Sequence, residues 1–131
     1  MWDKVTSLRL YDEGADGSKV NQDEKFDYKI GTLLLSKFID RTIDFLKIDI
    51  EGAEFRVINE IKDHLKKVSN IFIEYHSDIK EKQKLNKILS ILTKNGFRYY
   101  IESTGVKSFS PFQKIEVSNG FDNQLNIYGY R

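Results

Sequence analysis

The chain contains no cysteine, which excludes both disulfide stapling and thiolate metal ligation. It also has almost no net charge: 21 Lys and Arg against 20 Asp and Glu leave a formal +1. That balance supplies no general field for nucleic acid or anionic lipid, so neither is expected as a partner. No run approaches the roughly 18 apolar residues that a membrane span needs. Asp3, Arg9, Asp12 and Glu13 interrupt any apolar amino-terminal stretch, so no signal peptide is predicted and a cytoplasmic domain is expected.

What is present is enough for a core. The 131 residues are 40% hydrophobic, with 9 Phe and 7 Tyr. A chain of this length fits one domain and buries roughly 65–70% of its unfolded surface. All of residues 1–131 are read as that one domain, without an internal repeat or a linker.

Val5 to Tyr11 alternates as a half-buried strand does, with Leu8 and Leu10 on one face. A polar run follows from Asp12 through Lys25 and reads as an exposed loop; Phe26, Tyr28 and Ile30 alternate again. The two short strands could form a hairpin or lie separately at the edge of a larger sheet. Thr32 is placed to cap a short helix over 33–39. Ile43 to Ile50 reads as a strand, apolar on both faces near its start and therefore expected to be covered from both sides.

Helical spacing takes over from Ala53 to Lys66, where Phe55, Ile58, Ile61 and Leu65 form a stripe that Val57 widens. Asn70 to His76 is the next strand. Ser77 or Asp78 could cap a second helix carrying Leu85, Ile88, Leu89 and Leu92, which Gly96 should end. Phe97 to Glu102 reads as a strand, Ser103 to Asn123 as a long loop containing the one proline, Pro111, and Leu125 to Tyr130 as a last strand. Strands alternating with helices predict an α/β domain with parallel crossovers and an antiparallel pairing of the last two strands.

In such a sheet, ligands sit outside the carboxyl ends of the strands. Two of those ends carry Asp49 with Glu51, and Glu74 with His76. Each pair is spaced by two, which points both side chains the same way on extended backbone. A carboxylate or an imidazole there could take a proton from a hydroxyl, or the paired acids could bind a hard divalent cation that lowers the hydroxyl's pKa. Each residue also has a plain structural reading. Asp49 could cap the following helix, Glu51 could sit at its positive end, Glu74 could pair with Lys47, and His76 could begin a surface loop. His64, in a solvated helix turn, and the lysines from Lys80 to Lys87, on a solvated face, read as structural.

The run Asp44-Phe45-Leu46-Lys47-Ile48-Asp49-Ile50-Glu51-Gly52-Ala53-Glu54 resembles the central signature of the FkbM-type S-adenosylmethionine-dependent methyltransferases. Gly31-Thr32-Leu33-Leu34-Leu35 before it, and Ile73-Glu74-Tyr75-His76 and Asn95-Gly96-Phe97 after it, fit the same pattern. The resemblance spans roughly residues 26 to 131. It implies a partial Rossmann-like methyltransferase sheet, mostly parallel with an antiparallel final strand, formed by the carboxyl-terminal portion of the family's domain. Residues 1–31 would then be atypical amino-terminal strands and a polar loop.

The implied activity is O-methyl transfer from S-adenosylmethionine to a small-molecule hydroxyl, of a sugar or a polyketide-like acceptor. Asp49, Glu51, Glu74 and His76 would be the catalytic residues, with Asp49 also on the cofactor. Family members cradle the cofactor in a glycine-rich loop, whereas Gly14 and Gly17 are the only glycines before Gly31 here. The isolated chain is therefore expected to hold S-adenosylmethionine weakly and to be weak or inactive alone. A second possibility is a non-catalytic interaction module that completes its sheet with another chain, including a homodimer through strand 43–50. A metal-dependent hydrolase is a third, for which one acid pair and one histidine fall short of a motif.

Overall fold

The computed structural model describes residues 7–11, 19–21 and 28–131. Its amino-terminal strands β1 (Ser7–Tyr11), β2 (Lys19–Asn21) and β3 (Tyr28–Gly31) form an antiparallel sheet in the order β2-β1-β3. The two alternating segments do pair, with Leu8 opposite Ile30 and Leu10 opposite Tyr28. β2 lies inside the run read as an exposed loop, because so short a strand gives alternation too few residues to register. The rest of that loop lies outside the described residues.

Beyond β3, a 3₁₀ turn at Leu35–Phe38 replaces the helix expected over 33–39, and no side chain caps it. A second sheet then follows, built from β4 (Ile43–Asp49), β5 (Val68–Asp78), β6 (Arg98–Ser103) and β7 (Phe121–Tyr130) in the order β4-β5-β7-β6. β4 and β5 are parallel, and β7 is antiparallel to both β5 and β6. Three strands therefore run one way and only the final strand opposes them, as the sequence predicts for this α/β sheet.

Helix α1 (Glu54–Glu60) follows β4, and α2 (Leu85–Lys94) follows β5. The single helix expected over 53–66 is broken: α1 stops at Glu60 and a 3₁₀ turn forms at Leu65–Lys67. Val57, Ile58, Ile61 and Leu65 are nonetheless all buried. Over a few residues, periods of 3.0 and 3.6 place the same side chains inward, so the pattern alone cannot tell them apart.

Neither Ser77 nor Asp78 caps α2, since β5 runs through both of them. Asp78 instead accepts a hydrogen bond from the Lys80 amide at 2.8 Å, and Lys84 enters α2 with its amide bonded to the Tyr75 hydroxyl at 3.0 Å. The other end behaves as expected. Gly96 takes φ +82°, and the amides of Gly96 and Phe97 reach back to the carbonyls of Thr93 and Leu92, as in a Schellman stop.

Both helices pack on one face of the sheet. Ile58, Ile88 and Leu92 share a core with Ile48, Ile71, Ile73 and Ile127. The opposite face holds the cross-strand row Lys47, Phe72, Tyr128 and Tyr100. Phe45, Tyr100 and Tyr128 are exposed there, so the two-sided cover expected for β4 is not found among the described residues.

On the core face, β7 passes so close to β5 that a Cβ on Gly129 would lie 2.6 Å from Ile71 Cγ2. Ile71 is buried and stiff at its branch point. We expect Gly129→Ala to lower the unfolding free energy by about 1–3 kcal/mol in urea titrations, as overpacking does. An unchanged midpoint would show that β7 can shift away at no cost.

Candidate active site

β4 ends at Asp49, whose sheet neighbour is Glu74 on β5. The chain then turns sharply, with the Ala53 amide bonding to the Ile50 carbonyl across Glu51 and Gly52. Both central residues have positive φ, 52° for Glu51 and 96° for Gly52. Glycine adopts this conformation freely, whereas a residue such as Glu51 is held in it at a cost of order 1–3 kcal/mol. Glu51 is thus not on extended backbone, and the same-side geometry expected from its spacing to Asp49 does not apply. Its carboxylate still reaches the site by way of the turn.

The turn delivers Glu54, the first residue of α1, into the interior at 1% exposure. Its Oε1 accepts the Gly52 amide at 2.8 Å and lies 3.1 Å from His76 Nδ1, and its Oε2 faces the His76 amide at 3.4 Å. An ionised carboxylate only accepts hydrogen bonds, so Nδ1 carries the proton in this contact. His76 is therefore no surface residue: its side chain is 2% exposed, and the Phe121 ring packs against it with centroids 4.9 Å apart. Its Nε2 points to the strand-end rim, 3.6 Å from Glu51 Oε2 and 3.8 Å from Glu74 Oε1.

Burial is the largest single influence on His76 and disfavours its charged form. The hydrogen bond to Glu54 and the negative charges of Glu54, Glu51 and Glu74 together outweigh it and hold the imidazole above its ordinary 6.5. Lys47, expected as an internal partner for Glu74, is instead an exposed side chain paired with Asp49 Oδ2 at 3.2 Å. One ligand atom each from Asp49, Glu74 and His76 lies within 4.8 Å of the others. All four residues singled out in the sequence therefore converge on one rim. His64 stands outside the cluster.

Glu54 is the member of this cluster that the sequence alone leaves unassigned. A signal for it exists: Glu54, Val57, Ile58, Ile61 and Leu65 follow one helical stripe, so a carboxylate occupies a core position. Buried carboxylates need partners, and here the partner is a histidine from the neighbouring strand.

The acid–histidine cluster stands at the carboxyl edge of β4 and β5, the position where open α/β sheets bind ligands. The family model described as the methyltransferase FkbM domain matches residues 5–99, and the chain belongs to that family. The match begins ahead of β1 and ends inside β6, so the assignment to the carboxyl-terminal portion alone, over 26–131, is corrected. The amino-terminal strands β1 to β3 lie within the matched residues. No curated protein and no solved structure matches the chain. Among the described residues, no helix is long and apolar enough to cross a membrane.

The His76 environment sets a pH dependence with a defined sign. A folded value above the unfolded 6.5 means that the stabilisation is complete below 6.5 and is lost as pH rises through the folded value. Glu54, Glu51, Glu74 and Asp49 are the acidic groups that face this rim, and Lys47 is paired with Asp49 beside it. We expect the stability difference between wild type and Glu54→Gln, measured by urea unfolding from pH 5 to 9, to shrink as pH rises. A difference that grows with pH would contradict the pairing.

Proposed function

We propose that the chain is an S-adenosylmethionine-dependent O-methyltransferase in which Nε2 of His76 receives the proton of the acceptor hydroxyl. The observation that carries this reading is the Glu54–His76 contact, 3.1 Å long and almost wholly buried. With Nδ1–H donated to Glu54, the neutral ring presents an unprotonated Nε2 to the rim, which a general base requires. Asp49 and Glu51, at the end of β4, are in place to accept hydrogen bonds from an acceptor's remaining hydroxyls. A sugar or a polyketide-like alcohol meets that requirement.

The recess lined by Gly52, Tyr75, His76, Ser77 and Lys84 has a volume of about 20 Å³. Cofactor-sized ligands occupy roughly 300–1,000 Å³. This recess therefore does not enclose S-adenosylmethionine.

In calorimetric titration we expect the chain to bind S-adenosylmethionine with a Kd above roughly 100 μM. At millimolar donor with a polyol acceptor, slow release of the demethylated product is expected, with His76→Asn reducing the rate at least about 100-fold. Equal rates in the two proteins would remove His76 from the reaction. No release at any donor concentration would overturn the enzymatic reading.

One observation favours a second reading, that of a module which completes its sheet with another copy. Among the described residues β4 pairs only with β5, and Phe45 is 61% exposed on the uncovered face. An open apolar edge invites strand pairing. On this reading, sedimentation equilibrium shows a concentration-dependent dimer that Phe45→Lys weakens at least tenfold. A monomer at every concentration would exclude it.

A further inference from the structure

We propose that Asp49, Glu74 and Nε2 of His76 form a binding site for a divalent transition-metal ion of the zinc type. The inference goes beyond the methyltransferase reading and stands without it. Three ligand atoms from two adjacent strands converge within 4.8 Å, because the register sets Asp49 opposite Glu74 and His76 follows two residues on. Zinc binds nitrogen and oxygen at about 2.0–2.2 Å, so ligands around one ion stand roughly 3.4 Å apart in a tetrahedron. Nε2 and Glu74 Oε1, at 3.8 Å, are close to that spacing already. Rotation of the exposed Asp49 carboxylate supplies the remainder.

Two further observations point to a cation. First, His76 is held as metal-ligating histidines are: Nδ1 is fixed by a buried carboxylate, and the far nitrogen is aimed outward. The carboxylates of Glu51 and Glu74 stand 3.6 and 3.8 Å from Nε2, so this nitrogen faces two acidic side chains across the rim. Second, Asn126 is the sheet partner of Glu74 on β7, and its Oδ1 is a buried acceptor with no hydrogen-bond partner among the described residues. A metal-bound water is a donor suited to it.

The chemistry of the donor set selects the ion. An imidazole with two carboxylates suits zinc, cobalt or manganese, whereas the hard cation expected from an Asp49–Glu51 pair would want oxygen alone. Three protein ligands leave a coordination position open. Lys47 is a weak competitor for Asp49, because exposed ion pairs contribute about 0–1 kcal/mol. A metal on Nε2 also excludes a proton there, so the base role of His76 belongs to the metal-free chain.

The test is calorimetric titration of Zn²⁺ into the chelator-treated chain, without methyl donor or acceptor. The expected result is one site per chain with a Kd of about 10 μM or tighter, and visible ligand-field bands when Co²⁺ is used instead. Asp49→Asn and Glu74→Gln, at side chains that are not fully buried, should each weaken binding at least tenfold with unchanged circular dichroism. Glu54→Gln should weaken it about 10–100-fold through the ring it orients. His64→Asn, at the only other histidine, should leave binding intact. Absence of one-to-one binding, affinity unaffected by Asp49→Asn and Glu74→Gln, or loss in His64→Asn would each overturn the site. Because the assay contains no methyl donor, its failure leaves the methyl-transfer reading standing.

Discussion

A buried carboxylate at the first residue of a helix is the constraint on which the site depends. Glu54 is 1% exposed and faces two backbone amides and one imidazole nitrogen. Removing one partner of a buried pair costs about 3–5 kcal/mol, whereas forming the pair contributes little net stability. Such a pair is therefore better understood as a positioning device than as a source of stability. It ties the turn after β4 to the end of β5, fixes the His76 tautomer, and turns Nε2 toward Glu51 and Glu74.

The rest of the fold supplies the frame for that contact. β5 runs on to Asp78, past the last residue paired with β4, so His76 stands where the shorter strand has ended and the helix has begun. Glu51 and Gly52, both at positive φ, reverse the chain tightly enough for Glu54 to face back toward β5. Phe121, at the start of β7, closes over the ring. The one-sided packing of α1 and α2 leaves the other face of the sheet with an open aromatic row, a surface of a different character from the acidic rim.

Much of this architecture was legible in the sequence because its signals are strong ones. Apolar strands β4 and β5, the stripe Ile88–Leu92, the stop at Gly96 and the acidic strand ends all carry period, composition or turn chemistry. The signature at 44–54 pointed to the family. The failures have physical causes. A 3₁₀ turn mimics helical spacing at Leu65, an Asx turn at Asp78 imitates a helix cap, and β2 is too short to alternate. Charge alone pairs Lys47 with Glu74, whereas the register sets it beside Phe72 and its amine reaches Asp49 on its own strand. The role of Glu54 required knowing that the end of β5 lies against the start of α1, which is tertiary information.

Glu54 should hold the neutral His76 ring with its proton on Nδ1 and Nε2 bare toward the rim. Nitrogen-15 NMR of the imidazole side chains, recorded with the ring neutral, reads the tautomer directly. The expected spectrum has the His76 proton on Nδ1, and Glu54→Gln lowers the pH at which the ring titrates. A neutral His76 carrying its proton on Nε2, with a titration that Glu54→Gln leaves unmoved, would contradict the claim and remove the basis for both the base and the metal ligand.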